Sequence, residues 1–167
     1  KIICIICCRG GSKGIPNKNI KEFCGKPLLE WTISSAKNSG IFDDIILSTD
    51  SNNIAQIGTS LGAIVPGLRP DHLATDDADV FDTHKYIFEQ LNINDGENAV
   101  CVLTNNPFIK PDLLKRGFNI GKSKNFKIIA LDSVPIGGDY LYFRQLYEES
   151  GYLKFHFPDE MKKSGIN

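Results

Sequence analysis

The strongest constraint on the fold is a continuous apolar run, Ile2-Ile3-Cys4-Ile5-Ile6-Cys7-Cys8, that breaks directly into Arg9-Gly10-Gly11-Ser12-Lys13-Gly14-Ile15-Pro16-Asn17-Lys18-Asn19. A β-branched run without polar alternation is how a central parallel strand reads when both its faces are covered. It falls far short of the roughly 20 residues that cross a membrane as a helix. A strand of this kind needs parallel neighbours and helical crossovers, and the rest of the chain supplies their pattern.

Pro27 to Ser39 reads as a helix that starts on proline, carries Leu29, Ile33 and Ala36 on one face, and stops at Gly40. Asp44 to Ser48 reads as a second strand. Asp50 or Ser51 then caps a helix with Ile54, Ile57 and Leu61 at helical spacing, closed by Gly62. A short strand, Ala63 to Val65, leads into a long Gly/Pro/Asp-rich loop, Pro66 to Asp79, and loops of that length inside a compact domain are usually functional. Val80 to Leu91 is a helix, Ala99 to Leu103 a strand, Pro111 to about Gly121 a helix, and Lys127 to Leu131 another strand. The βαβαβαβαβ order predicts a three-layer α/β/α arrangement around a mostly parallel sheet, with ligands beyond the carboxyl ends of the strands. Residues 1–134 form the α/β core in this reading. Residues 135–167 form an extension in which Tyr140, Tyr142, Phe143, Tyr147, Tyr152, Phe155 and Phe157 crowd together, either as an intersubunit surface or as an antiparallel extension of the chain's own sheet.

Charge narrows the function. The net charge is -1, which argues against a general nucleic-acid binder. Yet residues 1–40 hold seven Lys/Arg and two acids, +5, leaving -6 on the remainder, so an anion is expected near the N-terminus. The odd count of five cysteines lacks disulfide spacing and fits reduced thiols in the cytoplasm. Strand alternation sends Cys4 and Cys8 to one face and Cys7 to the other, as buried strand residues rather than metal ligands.

The loop after the first strand carries the chemistry. Its glycines allow backbone N–H groups to approach phosphate oxygens, and Arg9, Lys13 and Lys18 supply countercharge. The spacing matches neither a Walker loop nor G-x-G-x-x-G. Asp50, at a strand end, suits helix capping and loop organisation, with ribose or metal binding as the alternative. Asp76, Asp77, Asp79 and Asp82 suit the start of a helix, with cation attraction as the alternative. His84 lies on an apolar stripe as a packed residue, and His72 and His156 have no partner signal.

R-G-G-S-K-G-I-P-x-K-N, followed by G-K-P-L-L-E-W-T-I at Gly25 to Ile33, resembles the acylneuraminate cytidylyltransferase family, the CMP-sialic acid synthetases and their relatives. The resemblance continues through Ser48-Thr49-Asp50, Leu68-Arg69-Pro70 and Leu73-Ala74-Thr75-Asp76, and covers residues 1–110. It implies a nucleotide-diphosphosugar transferase (Rossmann-like) fold. It also implies transfer of CMP from CTP to the anomeric hydroxyl of a sialic-acid-like, nonulosonic-type sugar acid, with release of pyrophosphate, magnesium as cofactor, and a cytoplasmic homodimer. On matching positions, Arg9, Lys13 and Lys18 would be catalytic, with Gly10, Gly11 and Ser12 holding the phosphates beside them, Asn19 lying by the nucleotide, and Arg69 near base or phosphates.

The chain departs from the family in three places. Cys7-Cys8 replace Pro-Ala. Leu103-Thr104-Asn105-Asn106-Pro107-Phe108-Ile109-Lys110 stand where relatives read L-Q-P-T-S-P-L-R, so Thr104 and Asn105 are the candidates to replace a nucleotide-contacting glutamine. The sequence ends before the family's R-Q-D segment, N-G-A strand and D-x-D carboxylates, so the C-terminal part of the fold, with the magnesium ligands, is expected to lie outside it, and this chain alone is expected to be inactive. Metal residues therefore stay unassigned. Another sugar nucleotidyltransferase and a non-catalytic nucleotide-binding homologue or fragment are the alternative functions.

Overall fold

The computed structural model describes residues 1–93, 99–124, 146–149 and 152–155. The chain divides into two compact units, Lys1–Leu114 and Lys115–Asn167. In the first, strand β1 (Ile2–Cys7) is followed by a loop, a 3-10 turn at Lys18–Ile20, and a two-residue hairpin, β2 (Glu22–Phe23) and β3 (Lys26–Pro27). Helix α1 (Leu28–Ser39), strand β4 (Asp44–Ser48), helix α2 (Asn52–Ser60), a 3-10 turn at Asp71–Leu73, helix α3 (Val80–Gln90), strand β5 (Ala99–Thr104) and helix α4 (Pro111–Lys124) come next in order.

The three long strands form one parallel sheet in the order β4-β1-β5, with β1 at the centre as its continuous apolar run predicts. Alternation along β1 sorts its side chains between two cores. Cys4, Ile6 and Cys8 join Leu29 and Ile33 of α1, Ile54 of α2 and Leu114 of α4. Ile3, Ile5 and the half-buried Cys7 pack with Ile87 of α3 on the other face. Helices thus cover both faces of the described sheet, as predicted. Burial raises the thiol of Cys8 to about 12 and that of Cys101 to about 11, and it raises Cys4 and Cys7 as well.

Helix boundaries shift by a residue or so from the sequence reading, for local reasons. Pro27 precedes α1 with extended ψ 139° instead of occupying its first turn, because its backbone pairs with Glu22 in the hairpin. Gly40 closes α1 in the left-handed conformation, φ 64°. Ser51, not Asp50, caps α2, its Oγ accepting from Ile54 N. The expected strand 63–65 is reduced to a parallel bridge, Ile64 against Ile46. The hairpin of Glu22–Phe23 with Lys26–Pro27 was not foreseen. It turns through Cys24 and Gly25, both at positive φ, and is tied to α1 by Trp31 Nε1 donating to the Phe23 carbonyl at 2.8 Å. The expected strand at 127–131 lies outside the described residues. In the second unit, β6 (Leu146–Glu149) and β7 (Tyr152–Phe155) form an antiparallel hairpin; Tyr140, Tyr142, Phe143 and Phe157 fall outside the described residues.

Candidate nucleotide site

The site begins where β1 ends. After β1 the chain crosses to β4 on one side, and β5 then returns to the other side, so the order reverses at the carboxyl ends of β1 and β5, where open parallel sheets take ligands. The ladder runs on for one bond past β1, Cys8 N donating to the Ser48 carbonyl at 2.9 Å, and then the glycine loop leaves the sheet.

A single peptide plane fixes how it leaves. The Arg9 carbonyl accepts from Asn19 Nδ2 at 2.8 Å, and the Gly10 N–H of the same plane donates to Asp50 Oδ1 at 2.8 Å. The plane is gripped on both edges, so the Arg9 side chain and the Gly11 and Ser12 backbone start from a set direction. The grip is tight around Gly10, where an added Cβ would stand 3.1 Å from Ser51 Cβ, whereas Gly11 and Gly14 face open space. Asp50 thereby serves as a loop organiser, as its place at the strand end suggested.

Arg9 and Lys13 project toward an open cleft of roughly 320 Å³ that Gly11, Thr75 and Asp76 also line. Asp76 bridges both cations, one carboxylate oxygen to Arg9 and the other to Lys13. Those two partners, Lys13 first, hold its carboxyl below the ordinary range. Asp76 turns to the loop cations, while the Asp79 carbonyl accepts from the Thr83 N–H in the first turn of α3. Lys18 is exposed on the 3-10 turn, with no paired carboxylate among the described residues, and Ser12 is half-buried.

The other candidate residues occupy supporting positions. Arg69 is 8% exposed, and its guanidinium donates to Ser48 Oγ at 3.2 Å, the Ser48 carbonyl at 2.9 Å and the Leu73 carbonyl at 3.4 Å. It pins the start of the 66–79 loop to the end of β4. Asn19 is 5% exposed, its amide bonded to Arg9 and Asn105. Asn105 has its Oδ1 taken by Thr32 Oγ1 and one Nδ2 hydrogen by Asn19 Oδ1. Thr104 ends β5 opposite Cys7 in the strand register. His84 is half-buried on α3, and burial, aided by the nearby Arg69 charge, lowers its pKa and favours the neutral ring. Thr32 was missed as a site residue, and Asp76, expected at a helix start with cation attraction as the alternative, instead pairs with the loop's own Arg9 and Lys13; nothing in a helix-internal threonine or an acidic run marks a partner so distant in sequence.

A parallel sheet whose central strand opens into a gripped, cation-bearing glycine loop at the reversal point is the arrangement by which open α/β sheets take phosphate-bearing ligands. The chain belongs to the cytidylyltransferase family, whose profile matches residues 3–145. It is 38% identical over 120 residues to a pseudaminic acid cytidylyltransferase of Campylobacter jejuni, covering 71% of this chain and 52% of that protein. It is 32% identical over 139 residues to a CMP-N,N'-diacetyllegionaminic acid synthase of Legionella pneumophila, covering 81% of this chain and 60% of that one. The chain thus spans 52–60% of the length of these two curated relatives. Among solved structures, a CMP:2-keto-3-deoxy-manno-octonic acid synthetase complexed with CTP shares the fold, with TM-score 0.61 and 17% identity, over 75% of this chain and 48% of that one.

Proposed function

We propose that this chain is the nucleotide-binding portion of a cytidylyltransferase that transfers CMP from CTP to the anomeric hydroxyl of a nonulosonic acid. The observation that carries the reading is the gripped Arg9–Gly10 peptide, which sets Arg9 and Lys13 around one cleft at the carboxyl end of β1. The names of the relatives, pseudaminic and legionaminic acid enzymes, support the substrate class.

In this reaction the anomeric hydroxyl oxygen attacks the α-phosphorus and gives up its proton to solvent, the bond to the bridging oxygen breaks, and pyrophosphate leaves with the electron pair. Negative charge grows on the leaving group, so preorganised cations and backbone donors supply most of the acceleration. In the proposal Arg9, Lys13 and Lys18, with Ser12 and the N–H groups of Gly10 and Gly11, form that environment, and CTP displaces the Asp76 carboxylate from the two cations. Asn19, Asn105 and Arg69 shape the cleft from behind.

The reading includes magnesium, a cytoplasmic location and a homodimer through segment 135–167. Among the described residues no three carboxylate, histidine or cysteine side chains gather to hold a metal ion. The test is pyrophosphate release with magnesium, each of CTP, ATP, GTP and UTP, and each of pseudaminic, legionaminic, N-acetylneuraminic and 3-deoxy-octulosonic acids. Release that requires CTP and one nonulosonic acid supports the reading. CTP binding without release from any pair, in a protein carrying the full length of its relatives, overturns it in favour of a non-catalytic homologue.

A further inference from the structure

The structure assigns Thr32, a fully buried threonine inside α1, the role of a positioning residue for the nucleotide loop, acting through Asn105 and Asn19. The inference rests on the reading that this loop holds the phosphates of CTP.

Thr32 is fully buried, and its hydroxyl stands at the head of a one-way chain of hydrogen bonds. Thr32 Oγ1 donates to Asn105 Oδ1 at 2.8 Å and accepts from the Asn106 N–H at 3.0 Å. Asn105 Nδ2 donates to Asn19 Oδ1 at 2.9 Å, and Asn19 Nδ2 donates to the Arg9 carbonyl at 2.8 Å. The Asn106 carbonyl also lies within reach of the Thr32 hydroxyl, at 3.2 Å, and Asn105 Oδ1 is the nearer of the two acceptors for its single proton. Turning either amide over would set donor against donor or acceptor against acceptor along the chain. The Arg9 carbonyl, which can only accept, fixes which way both amides face, and the Thr32 hydroxyl holds Asn105 in place at the other end, steadying the grip on the Arg9–Gly10 plane.

The chain joins residues 73 and 86 positions apart. It exists because β1 and β5 are adjacent and in register, Cys7 opposite Thr104, so the loops following them leave the sheet side by side. The segment 103–110, one of the places where this sequence departs from the resemblance, is also the segment that supplies the middle of the relay. Asn105 therefore works on the loop rather than as a bare replacement for a nucleotide-contacting side chain. Binding costs less when the cradle is already in posture, and a buried polar chain loses more than one bond when one member is removed.

Thr32→Val keeps the shape and removes the hydroxyl, leaving Asn105 Oδ1 and Asn106 N–H without partners. The experiment measures CTP affinity by calorimetry at a temperature where each variant is folded, alongside thermal melting. Thr32→Val is expected to weaken CTP binding about tenfold, Thr32→Ser to restore it, and Asn105→Ala to match Thr32→Val. Because the residues act in series, the double variant Thr32→Val/Asn105→Ala is expected to be no weaker than either single one. A wild-type protein that binds CTP while Thr32→Val binds it equally well overturns the inference alone, even if the variant melts lower, as does a double variant whose losses multiply. A wild-type protein that does not bind CTP overturns it together with the functional reading. Should Thr32→Val not fold, Asn105→Ala, in a loop, carries the same test: unchanged affinity rejects the relay.

Discussion

Replacing Asp50 with alanine removes the acceptor for the Gly10 N–H while leaving Ser51 to cap α2. Hydrogen bonds to a charged acceptor contribute about 1.5–3 kcal/mol, and the half-buried setting of this 2.8 Å bond puts it near the lower end, about 1.5 kcal/mol. In a unit the size of Lys1–Leu114 that corresponds to a melting temperature lower by about 5–10 °C. Whatever part of the loss falls on loop posture appears as weaker CTP binding, up to about tenfold. Asp50→Asn keeps an oxygen at the same place, so it should lose about half as much stability and bind CTP within about threefold of wild type. Melting curves and CTP calorimetry on both variants decide the matter. A carboxylate that instead held a metal or a ribose would give no such ranking: Asp50→Asn as damaging as Asp50→Ala in magnesium-dependent turnover, with neither variant less stable. That result would refute the grip on the Arg9–Gly10 plane as the reason for Asp50.

Three further outcomes follow from the same geometry. Asp76→Asn frees Arg9 and Lys13, so CTP should bind about three- to tenfold tighter, with the gain shrinking as salt is raised, since Lys13 is 85% exposed and the pair is screened. The Asp76 carboxyl is held low, so its ion pairs, fully present above the ordinary carboxylate range, are lost only as pH falls through the depressed value. The gain should therefore be the same at pH 5 as at pH 7, and a gain that vanishes by pH 5 contradicts the pairing. Arg69→Lys cannot reproduce three guanidinium bonds to Ser48 and Leu73, and urea unfolding should show a loss of about 2–3 kcal/mol; an unchanged midpoint with weakened CTP binding would move Arg69 from support to direct contact. A thiol reagent on the native protein should react quickly at the exposed Cys24 and slowly at Cys4, Cys7, Cys8 and Cys101, as mass spectrometry of the labelled peptides would show.

What the sequence made legible was local in origin. The unbroken β-branched run of Ile2–Cys7 placed β1 at the sheet centre, alternation assigned Cys4, Cys7 and Cys8 to their faces, and glycine and proline punctuated α1 nearly where it begins and ends. The charge asymmetry of residues 1–40 pointed to the loop that carries Arg9 and Lys13. What stayed hidden depends on partners far along the chain. Asp76 could be a first-turn acid or a partner for the loop cations, and only the path of the 66–79 loop, pinned by Arg69 to Ser48, selects the second. The Thr32–Asn105–Asn19 relay depends on the β1–β5 register, which no single segment encodes. The 22–27 hairpin was missed because two-residue strands carry no period, and its anchor is a tryptophan on the following helix.

The measurement that tests the central claim most directly is calorimetric titration of the protein with CTP and with CMP, repeated on Lys13→Ala. If the glycine loop cradles the phosphates beyond the first, CTP binds at least about tenfold more tightly than CMP, and Lys13→Ala removes most of that difference while leaving CMP affinity unchanged. Equal affinities for CTP and CMP, or a CTP preference untouched by Lys13→Ala, would contradict it.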